Sequence, residues 1–178
     1  MNCPPKVYLE KLEQMAHKPD LIELKSKLKI KRKEGEARKK ITRIIDVNLN
    51  RIKEALRVCE EIARFVIEDP KLSMSYKRLR HRITQISSTL NLDLKTLLNS
   101  RDTRTDVGKR NIVSEIRRDG IKDIFFANMQ RLKESVRVLE EFSKIINKAA
   151  AVKFKTLRFK IYALEKKTSK ILLSLHNS

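Results

Sequence analysis

The side chains best equipped for chemistry stand at regular intervals in a stretch that occurs twice. Asn48, Arg51, Glu54 and Arg57 follow one another every third residue, and eighty residues later Asn128, Arg131, Glu134 and Arg137 repeat both types and spacing. Lys53, Val58, Glu60 and Glu61 also recur unchanged, as Lys133, Val138, Glu140 and Glu141. A guanidinium bonds phosphate oxygens in pairs through its planar fork. An amide reads a ring edge or orients a phosphate. These types in this pattern suit two facing helices that hold Asn and Arg groups around an anionic ligand. A plainer reading uses the same residues as i,i+3 and i,i+4 ion pairs, each worth roughly 0.2–0.5 kcal/mol, with an asparagine satisfied in the core.

The elements that must position them are helices. At about 100° of arc per residue, Ile44, Ile45, Ile52, Ala55, Leu56, Cys59, Ile62, Ala63 and Val66 share one broad apolar face. Leu132, Val136, Leu139, Phe142 and Ile146 do the same in the second copy. Asn48 and Asn128 fall near the middle of those faces, where an amide must find hydrogen-bond partners. The first long helix is expected over about Lys39–Glu68 and ends at Asp69-Pro70, because proline cannot continue the ladder. A second runs from about Lys71 to Leu90, with Met74, Leu79, Ile83 and Ile86 inward. The pattern continues with a short helix near Leu92–Asn99 and another over Ile112–Arg118, closed by Asp119-Gly120 as a C-cap. Long helices follow over about Lys122–Lys148 and Val152–Leu175. Tyr76, Lys77, Leu79, Arg80 and Ile83 resemble Phe154, Lys155, Leu157, Arg158 and Ile161, so the repeat covers a helix pair.

The fold class is therefore all-α: internally duplicated helix pairs forming a four-helix core with extra short helices. Residues 1–40 form a basic N-terminal helical extension, with Lys29–Lys40 either a linker or a continuous polar helix. Residues 41–178 form the duplicated domain, with halves at about 41–98 and 121–175 joined by a polar loop at 99–111. That loop carries Arg101, Arg104, Lys109 and Arg110, which could meet phosphate. It also carries Asp102 and Asp106, oxygen ligands suited to Mg²⁺. A solvated linker is the other reading.

Composition narrows the partners. The formal charge is +20 and 36% of residues are charged, with three Gly, four Pro and no Trp. Such a charge concentrates anions around the protein. Aromatics are only 5%, and there is no zinc-finger spacing, which argues against nucleic acid. No run of 18 apolar residues exists, so no membrane span is expected, and the N-terminus lacks an apolar signal core, so a cytoplasmic location is. Cys3 and Cys59 read as free thiols. Leu- and Ile-rich faces leave a homodimer open. Neither a P-loop nor a dinucleotide fingerprint is present.

In order and spacing, RIIDVNLNRIKEALRVCEEIARFV, LRH at Leu79–His81, RDTRTDVG at Arg101–Gly108, ANMQRLKESVRVLEE and LRFKIYALE resemble the monofunctional hydroxymethylpyrimidine-phosphate kinase family. That family is an all-helical domain found alone or fused N-terminal to thiamine-phosphate synthase. The likeness covers about Lys40–Lys166. The chain has Val47 where the family often has Ala, and Arg104 where it usually has Pro. The resemblance implies phosphoryl transfer from ATP, with Mg²⁺, to a phosphorylated pyrimidine, and thiamine-phosphate synthase as a partner. It implies a catalytic set of Asp46, Arg51, Glu54, Arg131 and Glu134. It implies substrate and phosphate contacts from Asn48, Asn50, Arg57, Arg80, His81, Arg101, Thr103, Asn128, Arg137, Arg158 and Tyr162, and metal ligands at Asp102 and Asp106. Two alternatives stand beside it: a non-catalytic pyrimidine-phosphate or partner-binding module associated with the synthase, and a charge-driven nucleic-acid binder.

Overall fold

The computed structural model describes residues 18–102, 104, 106 and 118–175. Among them are five helices: α1 (Lys18–Phe65), α2 (Pro70–Ser88), α3 (Leu94–Ser100), α4 (Ile121–Ile146) and α5 (Lys148–Ser174). None of the described helices is long and apolar enough to cross a membrane. The expected helix over Ile112–Arg118 lies almost wholly outside the described residues.

The chain divides into two units, Met1–Lys40 and Ile41–Ser178. In the first, residues 23–40 are helical and exposed throughout. The Lys29–Lys40 segment is thus continuous helix rather than linker, and α1 begins well before the expected Lys39. A polar helix of this kind draws support from i,i+4 pairs such as Lys27–Glu23, at 2.7 Å.

The second unit is the duplicated one. In α1, Ile45, Leu49, Ile52, Leu56, Cys59 and Ala63 are buried, and Met129, Leu132, Val136 and Leu139 answer them from α4. The burial pattern of residues 51–60 recurs position for position over 131–140. Val66, expected on the apolar face, lies past the end of α1 and is 39% exposed. The chain then reverses through Glu68, whose φ of 56° is left-handed, into Asp69. The Asp69 carboxylate accepts from the backbone N–H groups of Lys71 and Leu72 and caps α2, with Pro70 in the first turn. The buried stripe of α2 is Leu72, Tyr76, Leu79, Ile83 and Ile86. Met74, expected inward, is 45% exposed: it sits two residues from both Leu72 and Tyr76, on the opposite side of the turn.

The second half departs from the expected boundaries at two points. α5 starts at Lys148, four residues early, because Asn147 ends α4 and caps α5 at once. Its side chain accepts from Ala150 N and donates to Thr89 O at 2.8 Å, which ties the two halves together. Lys133 meets Glu165 and Glu140 meets Arg158, so partners recede from Asn147 together and α4 and α5 run antiparallel. Gly120, expected as a C-cap, is extended (φ −179°) and is instead the residue from which α4 begins. The buried Tyr76 hydroxyl and Thr168 Oγ1 lie 2.8 Å apart, linking α2 to α5, and Cys59 lies against Met129, linking α1 to α4.

Candidate functional site

Helices α1 and α4 face each other across a cleft of about 540 Å³ lined by Asn48, Arg51, Glu54 and Ala55 from one side and Asn128, Arg131, Glu134, Ser135 and Val138 from the other. Eight of these nine residues form four pairs related by the eighty-residue register, so the cleft lies on the pseudo-two-fold relation between the halves. Ala55 and Ser135 are buried at its floor, while Arg51, Glu54, Arg131 and Glu134 are exposed. Each asparagine is fixed the same way. Asn48 Nδ2 donates to Ile44 O at 2.8 Å, and Asn128 Nδ2 to Ile124 O at 2.8 Å. One N–H therefore returns to the helix backbone, and the rest of each amide keeps its capacity to bond a ligand. Glu134 accepts from Gln130 at 2.7 Å.

The ionic groups of this lining are two guanidiniums and two carboxylates, formally balanced. A bare anion would gain from the arginines and lose to the glutamates. A phosphate carrying a divalent cation meets both signs. Among the described residues there is no cluster of three His, Cys, Asp or Glu side chains that could cage a metal. Mg²⁺ is typically held by one or two carboxylates together with substrate phosphates, and Glu54 and Glu134 fit that role. When bound there it would neutralise phosphate charge.

The remaining arginines of the pattern sit elsewhere. Glu60, 6% exposed, accepts from Arg80 Nε at 3.1 Å and Nη2 at 3.3 Å, and from Arg57 Nη1 at 3.4 Å. Glu140, 4% exposed, accepts from Arg158 Nε at 2.8 Å and Arg137 Nη1 at 2.9 Å. Arg57, Arg80, Arg137 and Arg158 are thus engaged in two equivalent clamps, one in each half, that join the long helix to the next. None of the four lines the cleft. This is the ion-pair reading of the sequence, realised for these residues. The carboxylate of Glu140 raises the Arg158 pKa above its ordinary value, helped by a hydrogen bond to Tyr162 Oη at 3.3 Å. Phe159 and Tyr162 also face the Arg158 guanidinium. His81 is exposed on α2, at the position that Phe159 occupies in α5.

Asp46, Asn50 and Arg101 gather in a different pocket, beside α2 and α3. Arg101 binds the buried Asp46 carboxylate twice, Nε to Oδ2 at 2.6 Å and Nη2 to Oδ1 at 3.0 Å. That bonding raises the Arg101 pKa. Arg43, which sequence reasoning passed over, reaches both loop aspartates: its Nη1 lies 3.8 Å from Asp102 Oδ2 and its Nη2 3.2 Å from Asp106 Oδ2. A guanidinium therefore stands where a metal ion was expected between them. Thr103, Lys109 and Arg110 lie outside the described residues. Ser135 was missed as well. The eighty-residue register offered it, since it is the copy of Ala55.

The geometry of a duplicated, cleft-bearing helical unit coincides with the reach of one family model, that of the ThiD2 family, which matches residues 43–167. The chain belongs to the ThiD2 family. Its curated relatives include proteins named thiamine-phosphate synthase. That of Synechocystis sp. is 38% identical over 126 residues, covering 70% of this chain and 35% of the relative. That of Nostoc punctiforme is 36% identical over 126 residues, covering 70% and 34%. That of Rhodopirellula baltica is 34% identical over 124 residues, covering 69% and 32%. This ThiD2-family chain thus spans about a third of the length of the curated relatives it matches. No solved structure matches it.

Proposed function

We propose that this protein acts in thiamine biosynthesis as a kinase of hydroxymethylpyrimidine phosphate. A substrate phosphate oxygen attacks the γ-phosphorus of ATP, the bond from that phosphorus to the β–γ bridging oxygen breaks, and ADP leaves with the diphosphate as product. The observation that carries the reading is the cleft between Asn48 and Asn128, where paired arginines, glutamates and amides converge from two equivalent helices. Phosphoryl transfer depends mostly on positioning and on charge stabilisation, which such groups supply without covalent chemistry. Arg51 and Arg131 stabilise the phosphoryl oxygens as charge spreads over them. Glu54 and Glu134 hold the Mg²⁺ that accompanies ATP. Asn48 and Asn128 orient the pyrimidine or its phosphate. The name of the relatives, thiamine-phosphate synthase, supports the pathway, and the family resemblance supports the reaction.

A non-catalytic module that binds the pyrimidine phosphate in the same cleft is the second reading, favoured by the formal balance of charge there. A coupled assay separates them. The chain is mixed with hydroxymethylpyrimidine phosphate, ATP and Mg²⁺, with a separate thiamine-phosphate synthase and its thiazole phosphate supplied. Thiamine phosphate formed only when this chain is present supports the kinase. Binding of the pyrimidine phosphate without product rejects it in favour of the module.

A further inference from the structure

Lys53 marks a place where the two halves differ. Its copy, Lys133, is half-buried between α4 and α5 and donates to Glu165 Oε1 at 2.8 Å. In the register that aligns Arg158 with Arg80 and Ile161 with Ile83, the position of Glu165 is held in α2 by Ser87. Among the described residues, the duplicated fold has the lysine twice and its counter-ion once. Lys53 is half-buried like Lys133, and no carboxylate among the described residues pairs with it.

Lys53 lines a pocket of about 220 Å³ together with Asn50, Ser87, Ser88 and the Asp46–Arg101 pair, closed on another side by leucines that include Leu90 and Leu97. Asp46 and Arg101 neutralise each other through their two hydrogen bonds, so Lys53 sets the charge of the pocket. A partly desolvated ammonium without a counter-ion favours an anion beside it. Lysine is a compact point charge that binds phosphate well, and amide and hydroxyl groups add donors around it. The leucines offer apolar surface to the rest of a ligand.

We propose that this pocket is a second, distinct site that binds a phosphorylated small molecule, with Lys53 against the phosphate and the leucines against an apolar body. It shares no lining residue with the α1–α4 cleft, and it holds Asp46, Asn50 and Arg101, which the family resemblance had grouped with the residues of that cleft.

The test titrates phenyl phosphate, and separately inorganic phosphate, into the full chain and follows backbone amide shifts by NMR. In the wild type, shifts are expected around Lys53 and Ser87, with phenyl phosphate binding the tighter of the two. Ser87→Glu supplies the carboxylate that the other half has. It is expected to raise the melting temperature and to weaken binding roughly tenfold or more, as loss of a charge-assisted hydrogen bond does. Lys53→Met is expected to weaken binding likewise, and Arg131→Ala to leave it intact. Shifts that persist in both Ser87→Glu and Lys53→Met, or that map only to the α1–α4 cleft, would overturn the proposal.

Discussion

Arg158 Nε donates to Glu140 Oε2 at 2.8 Å, and the equivalent pair in the first half, Arg80 Nε and Glu60 Oε2, closes at 3.1 Å. Both carboxylates are almost fully buried, and each takes a second arginine from its own helix. A buried carboxylate is costly unless its lone pairs are occupied, and the two arginines at each glutamate occupy them. These clamps fix the long helices against their neighbours, and the cleft is held by those same long helices.

Glu140→Ala leaves Arg158 partly buried without its partner. It is expected to cost about 3 kcal/mol in urea denaturation. Glu141→Ala, which removes a solvent-screened carboxylate with a side chain 39% exposed, is expected to cost clearly less. Equal losses would contradict the clamp.

Ser143 is fully buried and its hydroxyl finds no partner among the described residues, and the equivalent position in α1 is Ala63, also buried. Ser143→Ala removes an unsatisfied polar group at a site where the other half already tolerates alanine. It is expected to stabilise the protein by on the order of 1 kcal/mol. Destabilisation in the same denaturation experiment would mean that the hydroxyl has a bonded role.

Much of this was legible in the chain. Period and repeat gave the duplicated helix pairs, because burial in α1 and α4 follows the 3.6-residue stripe. They also gave the facing of Asn48, Arg51 and Glu54 toward Asn128, Arg131 and Glu134, since equivalent stripes pack against each other. The fate of the other arginines was not legible. Arg57 is spaced to meet either a phosphate or Glu60, and Arg80 reaches Glu60 from twenty residues away on another helix, a contact no local period encodes. The start of α5 was missed because Asn147 serves as cap to two helices, where one boundary residue per helix is the usual pattern.

Burial pushes the Cys59 thiol from its ordinary 9.0 up to about 12, with the nearby Glu165 charge adding to it. Tyr76 is also raised, again mainly by burial. The folded state therefore keeps protons that the unfolded chain gives up. The corresponding stability is present below about pH 9 and declines as pH rises toward 12. Chemical denaturation at pH 8 through 11 should show this decline, with a shallower slope in Cys59→Ala. An unchanged slope would remove Cys59 from the explanation.

At acid pH the sign reverses. The backbone N–H groups of Leu72 and Lys71 hold Asp69 below the usual carboxylate range, with Leu72 the larger influence. Its stabilisation is present above the unfolded carboxylate value and is lost as pH falls through the lower folded one. Asp69→Ala should lower the melting temperature at pH 7 and flatten the acid limb of the stability profile. A melting temperature unchanged at pH 7 would mean that α2 does not depend on its cap.

In the proposed function the cleft between α1 and α4, and not the outer arginines, performs phosphoryl transfer. The most direct measurement compares Arg51→Ala, Arg131→Ala and Arg57→Ala for pyrimidine diphosphate formed from ATP, with helix content checked by circular dichroism. Loss of turnover by about a hundredfold or more in the two cleft variants, with Arg57→Ala near wild type, is the predicted result. Wild-type turnover in both cleft variants, or its loss in Arg57→Ala alone, would contradict the account.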